Sequence, residues 1–261
     1  MDKQKMQDAE YSFPYHWIPH MQRKPGKQAS VNVSRELYWG YEYLAYMNYV
    51  SDRLIKENFD SILDVGCGDG RLADLYFQAG GKGAYKGIDL SSQAITLART
   101  LNARHGGKAE FCVGSLQAAE ENREFECAVL IEVIEHIPDK QLPAFLQSVC
   151  SRLKCGGKLY ITVPSVHIPL QSKHYRHYTP KLLIEQMEQS VSGMKLVEIR
   201  YTLPIKKMQE VYKRVTMNRF FSFHFHALDR KFFIQVRKNI ERDNGRCRQV
   251  FACFEKVEIA K

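Results

Sequence analysis

The feature that most constrains this chain is a short apolar run that ends in a cluster of glycines. Ser61–Val65 has the composition of a buried strand, Gly66, Gly68 and Gly70 follow it, and apolar residues at helical spacing begin directly afterwards. Strand-like and helix-like segments then alternate as far as Val163. Alternation of this kind is typical of a parallel sheet that helices cover on both faces.

Seven strands follow from this pattern, which predicts an α/β fold with a doubly wound, mostly parallel seven-stranded sheet. The predicted strands are Ser61–Val65, Tyr85–Leu90, Ala109–Val113, Ala128–Ile131, Lys158–Val163, Lys195–Leu203 and Arg248–Val257. Besides the helix after the glycines, helices are predicted over residues 35–58, 91–105, 140–153 and 180–190.

Two segments lie outside this core. We expect residues 1–40 to form an N-terminal arm or lid, residues 41–205 the core, residues 206–245 a basic, Phe-rich insertion and candidate substrate cap, and residues 246–261 the final strand. Met208, Val211, Tyr212 and Val215 have helical spacing, so part of the insertion is expected to be a helix. The phenylalanines of the insertion are interpreted as its own core, with a pocket for the substrate or a membrane-contacting face as alternatives. They are Phe220, Phe221, Phe223, Phe225, Phe232 and Phe233.

Composition excludes several classes of protein. The chain has 261 residues, of which 44% are hydrophobic and 26% charged, as in an ordinary globular protein with one core. No apolar run approaches the roughly 20 residues that span a bilayer, and the polar first residues lack the apolar centre of a secretory signal. We therefore expect a cytoplasmic protein. The seven cysteines include no Cys-x-x-Cys pair, which favours buried thiols over a metal cluster.

The net charge of +9 is concentrated near the C-terminus. Between Lys195 and Arg248 there are 14 basic and 5 acidic residues. Such a region can attract nucleic acid, an acidic membrane surface or an anionic metabolite, or form a solvated basic face.

The glycine cluster indicates a tight ligand loop, because glycine lets the backbone turn sharply and approach a ligand. A dinucleotide loop requires Gly-x-Gly-x-x-Gly, whereas position 71 is Arg, so a pyrophosphate-binding loop is not favoured. Asp89 ends the second strand, where a carboxylate can accept hydrogen bonds from both hydroxyls of a ribose. These residues favour a sugar-bearing ligand without a pyrophosphate.

At this point the sequence resembles the class I S-adenosylmethionine-dependent methyltransferases, which have a Rossmann-like fold. The similarity rests on four motifs in the family's order, which cover about residues 61–164. They are Asp64-Val-Gly-Cys-Gly-Asp-Gly70, Gly87-Ile-Asp-Leu-Ser91, Phe125-Glu-Cys-Ala-Val-Leu-Ile-Glu-Val-Ile-Glu-His136 and Leu153-Lys-Cys-Gly-Gly-Lys-Leu159.

The resemblance implies S-adenosylmethionine as the cofactor. It assigns Gly66 and Gly68 to the methionine moiety, Asp64 to its amino group, Asp89 to the ribose and Leu90 to the adenine. Ser115 stands where the family often has an acid for the adenine amino group. The implied cofactor-binding set is Asp64, Gly66, Cys67, Gly68, Gly70, Asp89, Leu90, Ser115, Leu116 and Ile131.

Histidines are the candidate catalytic residues, because a hydroxyl acceptor must lose a proton and imidazole titrates near neutral pH. His136 follows the fourth strand, and His174 and His177 lie in the loop after the fifth, at the edge where ligands bind in open sheets. The candidate substrate-binding residues are His16, Trp17, His167, Tyr175 and Arg176.

We therefore predict O-methylation of a small or medium-sized anionic acceptor, such as a sugar, a nucleotide sugar or a biosynthetic intermediate, without a metal. One alternative is a metal-dependent RNA 2′-O-methyltransferase. Glu132, Glu135 and His136 share the i, i+3, i+4 spacing of one helical face, and with a loop histidine they resemble the magnesium ligands of the small-RNA enzymes. A second alternative is a non-catalytic partner subunit with the same fold.

Overall fold

A computed structural model describes residues 3–11, 20–22, 30–32, 37–116, 123–216, 223 and 225–258 of the chain. The strands are β1 His20–Gln22, β2 Ser30–Asn32, β3 Ser61–Val65, β4 Ala84–Asp89, β5 Ala109–Val113, β6 Phe125–Ile131, β7 Leu153–Pro164, β8 Met194–Pro204 and β9 Cys247–Lys256. The α-helices are α1 Lys3–Asp8, α2 Leu37–Glu57, α3 Arg71–Gln78, α4 Ser92–Asn102, α5 Leu142–Ser151, α6 Pro180–Ser190, α7 Lys207–Thr216 and α8 His226–Lys238.

Strands β3 to β9 form a seven-stranded sheet in the order β5-β4-β3-β6-β7-β9-β8, while β1 and β2 pair as a separate hairpin. The pairs from β5 through β7 are parallel, and β9 runs antiparallel to both of its neighbours, β7 and β8. The expected doubly wound, mostly parallel seven-stranded sheet is therefore confirmed. Because Pro164 pairs with Gln249, β9 begins at the edge where the parallel strands end.

Buried apolar residues cover both faces of the sheet, as the continuous apolar strands predict. Along β9, Phe251 and Cys253 join a core that includes residues of α2 and α3. Val250, Ala252 and Phe254 join a second core that includes residues of α5 and α6. Five of the seven cysteines are buried in this framework, which agrees with their interpretation as small apolar side chains.

The insertion between β8 and β9 differs from its predicted form. Helix α7 confirms the expected helical part, but the interpretation of the phenylalanines as a core is wrong for Phe223 and Phe225. Their side chains are 43% and 55% exposed, because both residues precede α8 and are therefore not on the face of this helix that packs against the core. Phe232 lies on that face and is buried. Phe220 and Phe221 lie outside the described residues.

Within the described part of the chain, none of the helices combines the length and the apolar character that crossing a bilayer requires. The division into arm, core, cap and final strand stays a prediction.

Candidate active site

A cavity of about 1370 Å³ opens at the carboxyl edge of the parallel strands. It lies beside β3, which pairs with β4 on one side and with β6 on the other, so the chain order reverses at this point. Such reversal points are where open α/β sheets bind ligands. Of the predicted site residues, those that line the cavity are Gly66, Cys67, Gly68, Asp89, Leu90, Ser115, Leu116, Ile131, His136 and His174.

The loop after β3 requires glycine at two positions. Gly66 has a φ of +79°, and a Cβ atom there would lie 2.6 Å from Cγ2 of Val133. Gly68 has a φ of +53°, and its Cβ would lie 2.6 Å from the hydroxyl of Tyr11. Both the backbone conformation and the surrounding atoms therefore exclude a side chain, so the bare backbone borders the cavity.

Asp89 is held in place by backbone amides at the end of β4. The amide of Gly68 donates to its Oδ2 at 3.0 Å, and the amide of Ser91 donates to its Oδ1 at 2.8 Å. Leu90, the next residue, lines the cavity although its side chain is 59% exposed. A preorganised acid next to an exposed apolar side chain fits a ribose and an adenine, the arrangement that S-adenosylmethionine requires.

Two residues of the predicted cofactor set do not line the cavity. Asp64 is buried, its Oδ2 accepts a 2.7 Å hydrogen bond from the hydroxyl of Tyr85, and burial raises its pKa to about 7. Gly70 precedes α3 in a left-handed conformation, and a Cβ there would meet Ala98 and Asn102. Asp64 and Gly70 thus contact other residues of the protein and not the cavity, so their predicted ligand roles stay predictions.

His136 and His174 meet at the cavity wall, with ring centroids 4.7 Å apart and the rings edge to face. Burial lowers the pKa of His136 to about 4 and the pKa of His174 to about 3. Both imidazoles are therefore neutral at pH 7, and each has one unprotonated nitrogen available for a proton or a metal ion.

His177 determines which nitrogen of His174 is unprotonated. Nδ1 of His177 lies 3.2 Å from the carbonyl of Ile168, which can only accept, so this nitrogen carries the proton of the neutral ring. Nε2 of His177 is then an acceptor, and Nδ1 of His174 donates to it over 2.9 Å. Because Nδ1 of His174 carries the proton of the neutral ring, Nε2 of His174 is unprotonated.

Glu135 is fully buried beside these histidines, and among the described residues neither of its carboxylate oxygens has a hydrogen-bond partner. One ligand atom from each of Glu135, His136 and His174 lies within 4.8 Å of the others. Burial and the nearby charge of Glu132 raise the pKa of Glu135 well above its usual value. An unpartnered buried carboxylate is costly, so this group needs a proton or a cation.

Glu132 directly follows β6 and has an unusual backbone conformation, with a φ of +55°. Its Oε1 accepts a 3.1 Å hydrogen bond from Gln249 of β9, and burial raises its pKa to about 7. The predicted helical face of Glu132, Glu135 and His136 is only partly formed, because a 3-10 turn begins at Ile134, after Glu132.

Of the predicted substrate-binding residues, the three that the structure describes, His167, Tyr175 and Arg176, do not line the cavity. Nδ1 of His167 accepts from the amide of Cys247 at 3.1 Å, and Arg176 donates to the carbonyls of Ile134 and Ile137, which supports the turn that carries His136. The amide of Tyr175 donates to the carbonyl of Glu135 at 2.8 Å. His16 and Trp17 lie outside the described residues. These substrate assignments stay predictions.

Sequence reasoning missed several lining residues from distant elements. Arg248, at the start of β9, pairs through Nε with Oε1 of Glu42 on α2 at 2.9 Å, and both line the cavity. Tyr11 covers the glycine loop, and Nζ of Lys3 donates to the carbonyl of His174 at 2.5 Å. An antiparallel last strand, had it been foreseen, would have indicated Arg248, because such a strand begins at the edge where the parallel strands end.

A glycine loop, an acid held by backbone amides and a cavity at a point of chain reversal define an α/β protein with a site for a nucleoside-containing cofactor. Comparison with known proteins gives the family. A sequence profile described as a methyltransferase domain matches residues 38–222. A ubiquinone biosynthesis O-methyltransferase of Xanthomonas axonopodis pv. citri (strain 306) is 33% identical over 118 residues, which are 44% of this chain and 47% of that protein. The chain thus spans about half the length of the curated relatives it matches.

Two solved structures share the fold. The N-methyltransferase NodS from Bradyrhizobium japonicum WM9, in complex with S-adenosyl-L-homocysteine, has a TM-score of 0.60 at 12% identity over 99% of this chain and 100% of that chain. The methyltransferase domain of the bacterial protein CtHen1-C has a TM-score of 0.57 at 16% identity, over 82% of this chain and 98% of that chain.

Because the profile covers more than half of its length, the chain belongs to this methyltransferase family. The expected class, the class I S-adenosylmethionine-dependent methyltransferases, is confirmed together with its fold and its cofactor.

Proposed function

We propose that the chain transfers a methyl group from S-adenosylmethionine to an oxygen atom of a small or medium-sized anionic acceptor, such as a sugar, a nucleotide sugar or a biosynthetic intermediate. The observation that carries this proposal is that the glycine loop with Asp89 and the imidazoles of His136 and His174 border one cavity. When bound, S-adenosylmethionine supplies a methyl group on a sulfonium. The protein's own residues must then orient the acceptor and receive its proton.

His174 is the proposed proton acceptor. Its hydrogen bond to His177 leaves Nε2 unprotonated, and its low pKa keeps the ring neutral at pH 7. His136 packs edge to face against it and restricts its orientation. A positioned general base contributes about 10²–10⁴-fold to the rate when its pKa lies near the working pH, and the lower pKa of His174 reduces this contribution.

Charge and similarity support the acceptor class. Lys140 and Lys173 line the cavity and can pair with an anionic acceptor, whereas Glu42 and Glu210 offset the charge of Arg248. Glu132 and Glu135 also line the cavity, and burial raises the pKa of both, which reduces their negative charge. The name of the Xanthomonas relative supports oxygen as the target atom. We further propose a cytoplasmic location.

The arm and the insertion are the proposed lid and cap of this site. Met6, Ala9 and Tyr11 border the cavity, and Lys3 also lies over the ring of Tyr175, 4.0 Å from its centroid. On the other side, Glu210 of α7 reaches the cavity through Arg248. These contacts support a site that both additions border.

The direct test is transfer from S-adenosylmethionine that carries a labelled methyl group into a metabolite extract of cells that lack the gene. We expect label in an anionic small molecule, and loss of that product with the His174→Ala variant. Cofactor binding without transfer into any extract would contradict the proposal and favour the non-catalytic partner subunit. Label in RNA alone would favour the RNA methyltransferase.

A second candidate function, metal-assisted transfer, is favoured by one observation, the unpartnered carboxylate of Glu135 beside His136 and His174. One carboxylate and two neutral imidazoles suit a divalent transition metal or zinc. Such an ion would neutralise the buried charge and polarise an acceptor oxygen, in place of a general base. This is also the chemistry of the RNA alternative.

Chelation separates the two candidates. Base-assisted transfer should continue after treatment with EDTA and dialysis, whereas metal-assisted transfer should stop and return with Mg²⁺, Mn²⁺ or Zn²⁺. Calorimetric titration with Mn²⁺ gives an independent measurement, and Glu135→Gln should abolish any binding to this site. Glu126→Gln is the matched control, because Glu126 forms a surface pair with Lys154.

A further inference from the structure

Helix α7 is amphipathic in the reverse of the usual sense, with apolar side chains toward solvent. Met208, Val211 and Val215 are 74%, 57% and 56% exposed. Their i, i+3, i+7 spacing places them in one stripe along the helix. On the inward side, Gln209 and Thr216 are 4% and 2% exposed. A surface helix normally shows the opposite arrangement.

Polar and aromatic contacts hold α7 in this orientation. The hydroxyl of Tyr212 donates to Oδ1 of Asp229 on α8 at 2.6 Å, and its ring lies 4.8 Å from that of Phe232. Glu210 pairs with Arg248 of β9 at 2.5 Å. Rotation of the helix to bury the apolar stripe would break these contacts, so the stripe remains at the surface.

Two aromatic rings extend this apolar surface beyond the helix. The amide of Phe223 donates to the carbonyl of Thr216, the last residue of α7, at 3.0 Å. The rings of Phe223 and Phe225 pack edge to face at 5.2 Å, and both are about half exposed. The helix stripe and this ring pair together form what we call the α7 surface.

The surrounding charge is almost entirely positive. Residues 206–238 contain nine basic and two acidic residues. Both acids are engaged within the fold, Glu210 with Arg248 and Asp229 with Tyr212. On α7 itself, Lys207 and Arg214 are seven residues apart, so they align along one flank of the apolar stripe.

We propose that the α7 surface docks on an anionic phospholipid bilayer, with the apolar stripe in the interface and the flanking cations at the lipid phosphates. An exposed apolar helix face bordered by lysine and arginine is the arrangement that inserts into a lipid interface. Through the pair between Glu210 and Arg248, the docked helix contacts a residue that lines the cavity. The docking is independent of the identity of the methyl acceptor.

Flotation with vesicles tests the proposal on the full chain. We expect binding to phosphatidylcholine vesicles that contain phosphatidylglycerol, little binding to phosphatidylcholine alone, and a decrease with added salt. Removing two cations with Lys207→Gln and Arg214→Gln should weaken binding about tenfold or more. The pair Val211→Ser and Val215→Ser should weaken it similarly by removing the inserting side chains.

Controls separate docking from misfolding and from unspecific charge effects. Val197→Ser with Lys195→Gln makes the same chemical changes on β8, where Val197 is 51% exposed, and should leave vesicle binding unchanged. Cofactor affinity by calorimetry should be equal in all variants, because none of these residues lines the cavity.

Three results would overturn the proposal: no binding to any vesicle, binding that the serine variants leave intact, or self-association that the serine variants abolish. The last result would identify the α7 surface as an interface between two copies of this chain. Because vesicle binding requires no methyl acceptor, its failure is distinct from failure of the proposed transfer reaction.

Discussion

Two parts of the cavity lining are built in opposite ways: the cofactor end, formed by the glycine loop and Asp89, and the proposed acceptor end, formed by the remaining polar lining. At the cofactor end, backbone amides of Gly68 and Ser91 hold one acid, Asp89, and all three residues lie within one strand–turn–helix–strand stretch. At the acceptor end, side chains converge from distant parts of the chain, with Glu42 on α2 and Arg248 on β9. The first end is therefore determined by local sequence, and the second by the packing of the whole sheet.

This difference teaches that the two ends can vary separately. A substitution at the acceptor end removes one side chain and leaves the cofactor loop in place. A substitution in the loop disturbs a backbone conformation on which several contacts depend. Turnover and cofactor affinity should therefore respond to different residues.

The largest expected effect is on turnover. Replacing His174 with Ala should lower kcat by about 100-fold or more, since it removes the proposed proton acceptor, while the Kd for the cofactor stays within about twofold. Steady-state kinetics and calorimetry measure the two quantities. His105→Ala is the control, because His105 pairs with Asp74 and does not line the cavity. Equal losses of kcat and of cofactor affinity in His174→Ala would show that the two ends do not act separately.

A smaller effect is expected on cofactor affinity. Asp89→Ala should weaken binding of S-adenosylhomocysteine by about 10- to 100-fold, because it removes charged hydrogen bonds to a ribose and frees the Gly68 amide. Glu185→Ala, at an exposed acid, should leave the affinity unchanged. Unaltered affinity in Asp89→Ala would mean that the loop does not hold the ribose.

The histidine pair offers a finer test of the acceptor end. His177→Leu removes the acceptor for Nδ1–H of His174 and should lower kcat about tenfold or more, because the tautomer is no longer determined. His177→Gln places an oxygen where it can accept from His174 and should retain most of the activity. If His177→Leu and His177→Gln have the same kcat, the hydrogen bond between His177 and His174 does not contribute to turnover.

The last expected effect concerns stability. Because burial raises the pKa of Asp64 from 3.8 to about 7, its contribution to stability is present at low pH and is lost as the pH rises through about 7. Between pH 5 and pH 8, the ligand-free Asp64→Asn variant should lose less stability than the wild type, by on the order of 2 kcal/mol.

Denaturant unfolding at the two pH values measures this difference. Asp60→Asn, at an exposed acid, is the control and should follow the wild type. If Asp64→Asn lost more cofactor affinity than Asp89→Ala, Asp64 would instead be assigned to ligand binding, as the family resemblance implies.

The cofactor end was predictable because its signal is local. A strand, three glycines, a helix and an acid one strand later are consecutive in the sequence, so Gly66, Gly68, Asp89 and Leu90 could be assigned correctly to the cavity. His136 and His174 could also be placed, since loops after parallel strands lie at one edge. Asp64 shows the limit of this reasoning, because which face of β3 its side chain takes depends on contact with Tyr85.

The acceptor end could not be predicted to the same extent. Arg248 reaches the cavity only because β9 inserts antiparallel between β7 and β8, and an apolar run such as Val250–Phe254 contains no information about strand direction. The outward apolar stripe of α7 was equally hidden. Its helical spacing was visible, but only tertiary contacts, such as those of Tyr212 with Asp229 and of Glu210 with Arg248, determine which side faces solvent.

The pairing of Pro204 with Cys247 has a consequence for how this protein can diversify. The last residue of β8 and the first of β9 are direct neighbours, so everything between them leaves and re-enters the sheet at a single point. Loops of very different length can close such a gap at little entropic cost. If the insertion is the substrate cap proposed above, recombination that exchanged this segment would change the substrate without requiring a new cofactor site.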